Sequence, residues 1–354
     1  MAGVTGRTAA IAFAKFATNS WGVAASVTKG AHFDSDGGMT PQPIYVEDES
    51  MNQGFRRRGE VGDFTAPDVT FTGRARYEDH HYILEACAMG SPVAPTVVSS
   101  QAANSLVAYQ HILDLSPAIN GLGVTVAIDK VRFVDELTSA KVYGFSMSFG
   151  DGGVLTQAFR LMGSKPTHIS SINTRSTVHG ASFPDFGNRV FRKHGVLRLN
   201  AQAGGSLVAG DEVKIETFDF EFSRPQDAPF VTGQDYIHEP GDNGFPDPSF
   251  RVTFPRMTTP AANSLYGHLT TAAQLKGDFT FSGAFINSTT RASVLYQFPA
   301  LEVQEWAAPL SGAAQVKPTA TFRLKEVATA PTGMTGVTRP FRVTRIMMNS
   351  AAAF

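Results

Sequence analysis

The chain has 354 residues, enough for two domains of about 170 residues each. Its 30 basic and 31 acidic residues leave a net charge of -1, which excludes the strongly basic footprint of a tight nucleic-acid binder. Charged residues are 17%, against about 25% in ordinary domains, while 42% are hydrophobic, with 27 Phe, 33 Gly and 20 Pro; this suits sheets with much buried or partner-covered surface.

A single cysteine, Cys87, excludes an intrachain disulfide and falls in an apolar helical pattern, where a small buried thiol is the ordinary role. Before residue 27 the longest apolar stretch is 9–14, too short for a signal core, and no run approaches the roughly 18 apolar residues of a membrane span. The expectation is a protein made in the cytoplasm, with no membrane insertion.

Residues 69–77 place Val69, Phe71, Ala75 and Tyr77 on one face and Thr70, Thr72, Arg74 and Arg76 on the other, a half-buried strand. Glu78 and Asp79 then open a segment in which Tyr82, Ile83, Ala86 and Cys87 recur at helical spacing before Gly90. The pattern predicts an amphipathic helix of about three turns, with acidic residues against its N-terminal dipole and a glycine C-cap. The Ser/Ala/Pro-rich stretch 91–105 reads as an exposed loop. Strands are expected at 111–115, 124–128, 142–149 and 154–161, the last two joined by a Gly150-Asp151-Gly152-Gly153 hairpin turn. In 142–149, Tyr143, Phe145, Met147 and Phe149 form a large apolar face opposite Val142, Gly144, Ser146 and Ser148.

The second half repeats this order. Strands are expected at 196–202 and 213–222, the latter alternating Thr217, Asp219 and Glu221 with Phe218, Phe220 and Phe222. After a polar Pro/Gly/Asp stretch at 227–246 come a strand at 250–254, a helix over 260–275 with Thr259 as N-cap, and strands at 279–286, 294–306 and 319–327. A last alternating piece, 338–348 with Phe341, Val343 and Ile346, has no assigned place. The reading is an α+β, mainly β chain built by tandem duplication: an arm over 1–30, one module over 31–175 and a second over 176–354.

No nucleophile elbow, phosphate loop, zinc signature or dinucleotide fingerprint is present in the sequence. His80 and His81, adjacent in a helix, point about 100° apart, whereas paired metal ligands need i, i+3 or i+4 spacing. His81 and Glu85 have i, i+4 spacing, equally that of an ordinary surface pair. His179, His194, His238 and His268 share no spacing, though folding could bring two groups together. No catalytic residue, metal or cofactor is expected. The one dense basic run, Arg56, Arg57 and Arg58, lies in loop 51–63, flanked by Glu47, Asp48 and Glu49 on one side and Glu60 and Asp63 on the other. Those acidic flanks favour ion pairing between subunits over phosphate contact, with a solvated loop as the alternative.

The run from Pro67-Asp68-Val69-Thr70-Phe71-Thr72-Gly73 to Leu84-Glu85-Ala86-Cys87-Ala88-Met89-Gly90, the Tyr143-Gly144-Phe145 element before a Gly-rich hairpin, and the acidic-flanked loop 47–63 together resemble the tail tube proteins of siphophages, bacteriophages with long non-contractile tails. The resemblance, to members with a duplicated module, covers 44–162 and, less fully, 196–327. It implies two tandem β-sandwich or barrel modules, each with one helix, joined edge to edge into stacked rings that are trimeric and pseudo-hexameric. The stack would be a conduit for genome delivery, and loop 47–63 would touch a neighbouring subunit or ring. Implied partners are further copies of the chain, a tape measure protein, tail-completion or baseplate proteins, and DNA in transit; the implied location is the virion tail. Two other readings stay open: another virion structural protein (baseplate, tail terminator or decoration), and a carbohydrate-binding β-sandwich, for which two tryptophans, Trp21 and Trp306, offer little.

Overall fold

The structure, a computed structural model, describes residues 9–15, 21–35, 37–39, 43–46, 60–65, 67–91, 94–101, 106–184, 187–256, 260–309 and 316–350. Its first half runs β1 (Ala10–Lys15), β2 (Lys29–Ala31), β3 (Pro43–Val46), β4 (Glu60–Phe64), β5 (Asp68–Arg74), α1 (His81–Met89), β6 (Thr96–Gln101), β7 (Leu106–Asp114), β8 (Val124–Asp129), β9 (Val134–Phe149), β10 (Leu155–Gly163), β11 (Pro166–His168) and α2 (Arg175–Gly180). The second half runs β12 (Gly195–Ala201), β13 (Glu212–Val213), β14 (Thr217–Ser223), β15 (Gln226–Asp227), β16 (Gly241–Asp242), β17 (Asp247–Thr253), α3 (Pro260–Thr271), β18 (Leu275–Phe285), β19 (Arg291–Ala307), β20 (Thr319–Lys325) and β21 (Arg342–Met347). The fold is α+β and mainly β.

All but two small ribbons, β3–β4 and β15–β16, belong to one 17-stranded sheet. Two long strands make this possible. The N-terminal part of β9 pairs with β8 and its C-terminal part with β10 and β14. Likewise β19 pairs first with β18 and β21 and then with β20. The halves of the chain join where β14 lies between β9 and β17, and where β21 pairs with β7. Strand β1, inside the expected N-terminal arm, pairs with both β8 and β2 and buries Ile11 through Ala14.

Phenylalanine makes the core. Strict alternation in β14 sends Phe218, Phe220 and Phe222 inward, where Phe218 meets Phe279 edge-on at 4.6 Å, Phe222 meets Phe145 at 5.4 Å, and Phe220 meets Phe341 at 5.4 Å. Fully burying each such ring contributes about 1.5–3 kcal/mol, and aromatic contacts at these separations add about 0.5–1.5 kcal/mol more. Gly152 and Gly153 take φ of 67° and 70° at the β9–β10 turn, as the hairpin glycines require.

Several expectations change. Helix α1 has no exposed face: all nine residues are buried, so it is not amphipathic. Its buried carboxylate, Glu85, is answered within the fold by Arg345 of β21 and Gln157 of β10, while the ring nitrogens of His81 have no hydrogen-bond partner among the described residues. Hence His81–Glu85 is not a surface pair. Glu78 and Asp79 lie before the first turn; Glu78 accepts from the Met348 and Asn349 N–H groups and Asp79 from that of His80. The C-cap is as expected, with Gly90 at φ 69°, and a Cβ there would come within 2.8 Å of Ala118 O. Within the expected loop 91–105, β6 pairs with β7 as an edge strand, leaving Val97 and Val98 exposed. The expected strand 213–222 is broken, because β13 pairs with β12 whereas β14 pairs with β9 and β17. A bulge in β9 opposite Arg160 and Leu161 rotates Tyr143 out of the apolar face and brings Val142 in. The unplaced piece 338–348 contains β21, which pairs with β19 on one side and β7 on the other. Thr259 lies outside the described residues.

Candidate functional site

Two surfaces stand out: one broad face of the main sheet, and the β3–β4 ribbon.

Strands β5, β10, β9, β14, β17, β20 and the end of β19 lie side by side, antiparallel throughout. Period-two alternation gives this sheet two unlike faces. One carries Val69, Phe71, Phe159, Phe145, Phe218, Phe220, Phe222, Phe250, Val252 and Phe322, all buried. The other carries Thr70, Thr72, Arg74, Thr156, Arg160, Ser146, Ser148, Thr217, Asp219, Glu221, Ser249, Arg251, Thr321, Arg323, Lys325, Glu302 and Glu305, with Ala158, Met162, Ala300 and Ala307 among its apolar positions. It is a wet, polar wall backed by a dry core.

Charges on this wall alternate in sign. Arg160 Nη2 lies 2.9 Å from Glu221 Oε1, Arg323 Nε 2.9 Å from Asp247 Oδ1, Lys325 Nζ 3.4 Å from Glu302 Oε2, and Arg74 Nε 3.3 Å from Asp34 Oδ2. Such exposed pairs contribute only about 0–1 kcal/mol each. Their consequence is that neither sign dominates the surface potential. Tyr143, turned onto this face by the bulge, donates to Asp68 Oδ1 at 2.9 Å; burial, with the Asp68 carboxylate beside it, pushes its phenol up to about 12.

The second surface is the ribbon that frames the sequence-predicted contact loop. Pro43 pairs with Phe64, Tyr45 with Val61, and Val46 with Glu60. Ile44, Tyr45, Val46 and Val61 are between 44% and 63% exposed, so this small element carries apolar side chains open to solvent. Its base is fixed: Phe64 N–H donates to Asp235 O at 3.0 Å, and the Phe64 ring stacks on Tyr236 at 5.0 Å. Of the predicted contact residues, Glu60 is exposed and Asp63 half-buried on β4, while Glu47, Asp48, Glu49, Arg56, Arg57 and Arg58 lie outside the described residues.

The chain matches no protein-family model and no curated protein.

His80, His81 and His179 make contacts within the fold. His80 Nδ1 lies 2.8 Å from Gly30 O, while the ring of His81 packs against Phe33 and Phe159 with Nε2 4.0 Å from Asp79. Folding does bring His179 to Asp129, at 2.6 Å, but that buried carboxylate also meets Arg175 at 3.2 Å and accepts from the Val131 N–H at 2.8 Å. These contacts anchor α2 to the tight β8–β9 turn, where Val131 has φ 72°. Among the described residues no helix is long and apolar enough to cross a membrane, and no group of three or more His, Cys, Asp or Glu side chains could hold a metal ion.

The polar wall has a local signal in the sequence, but its assembly has none. Thr70, Thr72 and Arg74, Ser146 and Ser148, and Thr217, Asp219 and Glu221 are the polar positions of the expected strands. Only the pairing order places them on one face.

Proposed function

We propose that this chain is the structural subunit of a bacteriophage tail tube, assembling into stacked rings that enclose a conduit for the genome, and that it is not an enzyme. The observation that carries the proposal is the two-faced sheet. A channel wall must be wetted on its inner side, rigid behind, and without net attraction for its cargo. DNA presents one negative charge per about 1.7 Å of helix axis, so a basic wall would hold it through counterion release. A wall with alternating, mutually paired charges does not. The exposed apolar ribbon β3–β4 supplies what stacking needs in addition, a surface that gains by being covered.

Electron microscopy of the purified chain tests this. Tubes or stacked rings are expected. Closed rings that never grow would instead indicate a terminator, baseplate or decoration protein, and a chain that stays monomeric under all conditions overturns the assembly reading. Turnover of any member of a glycan panel would overturn the non-enzymatic part.

A further inference from the structure

The strand order β8–β9–β10–β5 recurs as β18–β19–β20–β17, antiparallel at every step. Register aligns the two sets. Ala158 lies opposite Thr72 as Thr321 lies opposite Arg251, and Ser148 lies opposite Thr156 as Ala307 lies opposite Thr319. Between the sets lies β14, with Asp219 opposite Ser148 of β9 on one side and Arg251 of β17 on the other.

At its two outer limits the same arrangement is incomplete. Beside β5 there is a short counterpart of β14: Asp34 and Ser35 N–H donate to Thr72 O at 2.7 and 3.1 Å, and Thr72 N–H donates to Ser35 O at 3.1 Å. Gly37 follows so closely along β5 that a Cβ would sit 2.6 Å from Thr70 O. Ser35 therefore stands to Thr72 as Asp219 stands to Arg251. Asp34, Ser35 and Gly37 are exposed. At the opposite limit Glu305, Trp306 and Ala307 pair with β20 on one side and, among the described residues, with no strand on the other.

We infer that a second copy of this chain completes both edges: Ala307 and Glu305 of one copy pair antiparallel with Ser35 and Gly37 of the next, Ser35 opposite Ala307 and Gly37 opposite Glu305. The template is inside the chain, where Asp219 is opposite Ser148 and Glu221 opposite Ser146. Unpaired edge groups are a standing template for another strand, and a head-to-tail contact of unlike edges propagates until it closes. The polar wall would then run without interruption from copy to copy. This rests on the assembly reading above and assigns it a residue-level contact.

The test is a chain carrying Ser35→Cys and Ala307→Cys, in which the native Cys87 is buried. Oxidation under assembling conditions should give a ladder of disulfide-linked oligomers ending at the closed ring, with a peptide joining positions 35 and 307 in the mass spectrum. Neither single variant should give the ladder, nor should Ser35→Cys with Glu302→Cys. Rings or tubes lacking the 35–307 link overturn the pairing but leave the tube. Linked rings that never stack keep the pairing but overturn the tube. Hydrogen exchange on the unmodified chain is independent of the cysteines: the amides within 305–307 that face away from β20 should slow at least tenfold on assembly, and unchanged exchange overturns the pairing.

Discussion

Replacing Glu85 by glutamine keeps the shape of the side chain and removes the charge that Arg345 faces. In the folded chain Arg345 Nε and Nη2 lie 2.9 and 2.6 Å from the two carboxylate oxygens, Gln157 Nε2 donates to the same carboxylate at 2.6 Å, and Tyr296 reaches it at 3.4 Å. Both members of the pair are buried. A glutamine amide has one oxygen, so whichever way it turns, at least one donor faces its NH2 group, and the guanidinium is left charged without a counterion. Removing one partner of a buried pair costs about 3–5 kcal/mol, a large part of the roughly 5–15 kcal/mol that holds a folded domain together. Replacing both, Glu85→Leu with Arg345→Met, leaves no buried charge and should recover most of that loss. Denaturant unfolding followed by circular dichroism measures all three variants. A Glu85→Gln loss below about 1 kcal/mol, or a double variant no more stable than the single, would refute the argument from stranded charge.

Acid should weaken the fold before carboxylates titrate. Burial holds His80, His81 and His111 below the ordinary imidazole value, so the folded chain keeps them neutral where the unfolded chain takes up protons. Stability is then intact above about pH 6.5 and falls below it, by up to about 1.4 kcal/mol per pH unit for each histidine. Glu78 and Asp278, raised by burial, act with the opposite sign lower down. Melting temperatures across this range check the slope, which His81→Phe should make shallower. Tyr45→Ser with Val61→Ser should leave the melting temperature of the dispersed chain unchanged while preventing tube growth seen by light scattering; unimpaired growth removes the ribbon from the assembly. Gly144→Ala would bring a Cβ within 2.7 Å of Phe222 O and should cost about 1–3 kcal/mol by prising β9 from β14. Arg160→Ala with Arg323→Ala should cost less than about 1 kcal/mol per position in the same unfolding assay.

What the sequence disclosed follows the range of the forces involved. Alternation in Thr217–Ser223 is local and legible, as are Gly90 and the Gly152-Gly153 turn. The burial of α1 is not, because Glu85 reads as a surface residue until its partner, 260 residues away, is placed beside it. Strand β6 was hidden because an edge strand is held by backbone pairing, and its Thr-Val-Val-Ser-Ser-Gln run is set in a Ser/Ala/Pro-rich stretch with the composition of a loop. The break after Val213 and the bulge at Tyr143 depend on which neighbour each stretch of backbone meets, and one strand alone does not carry that information. The polar wall follows the same logic, since each stripe was visible and their adjacency was not.

The position of Arg345 also governs when the fold can be completed during synthesis. Ribosomes add about 5–20 residues per second, so roughly 13–50 s separate the appearance of Glu85 from that of the side chain that neutralises it. Throughout that interval α1 cannot settle in its final place without leaving a carboxylate stranded, and β7 lacks its partner β21. Nascent chains are therefore expected to stay open around α1 until the last strand arrives, so that the interior closes after translation has passed Arg345.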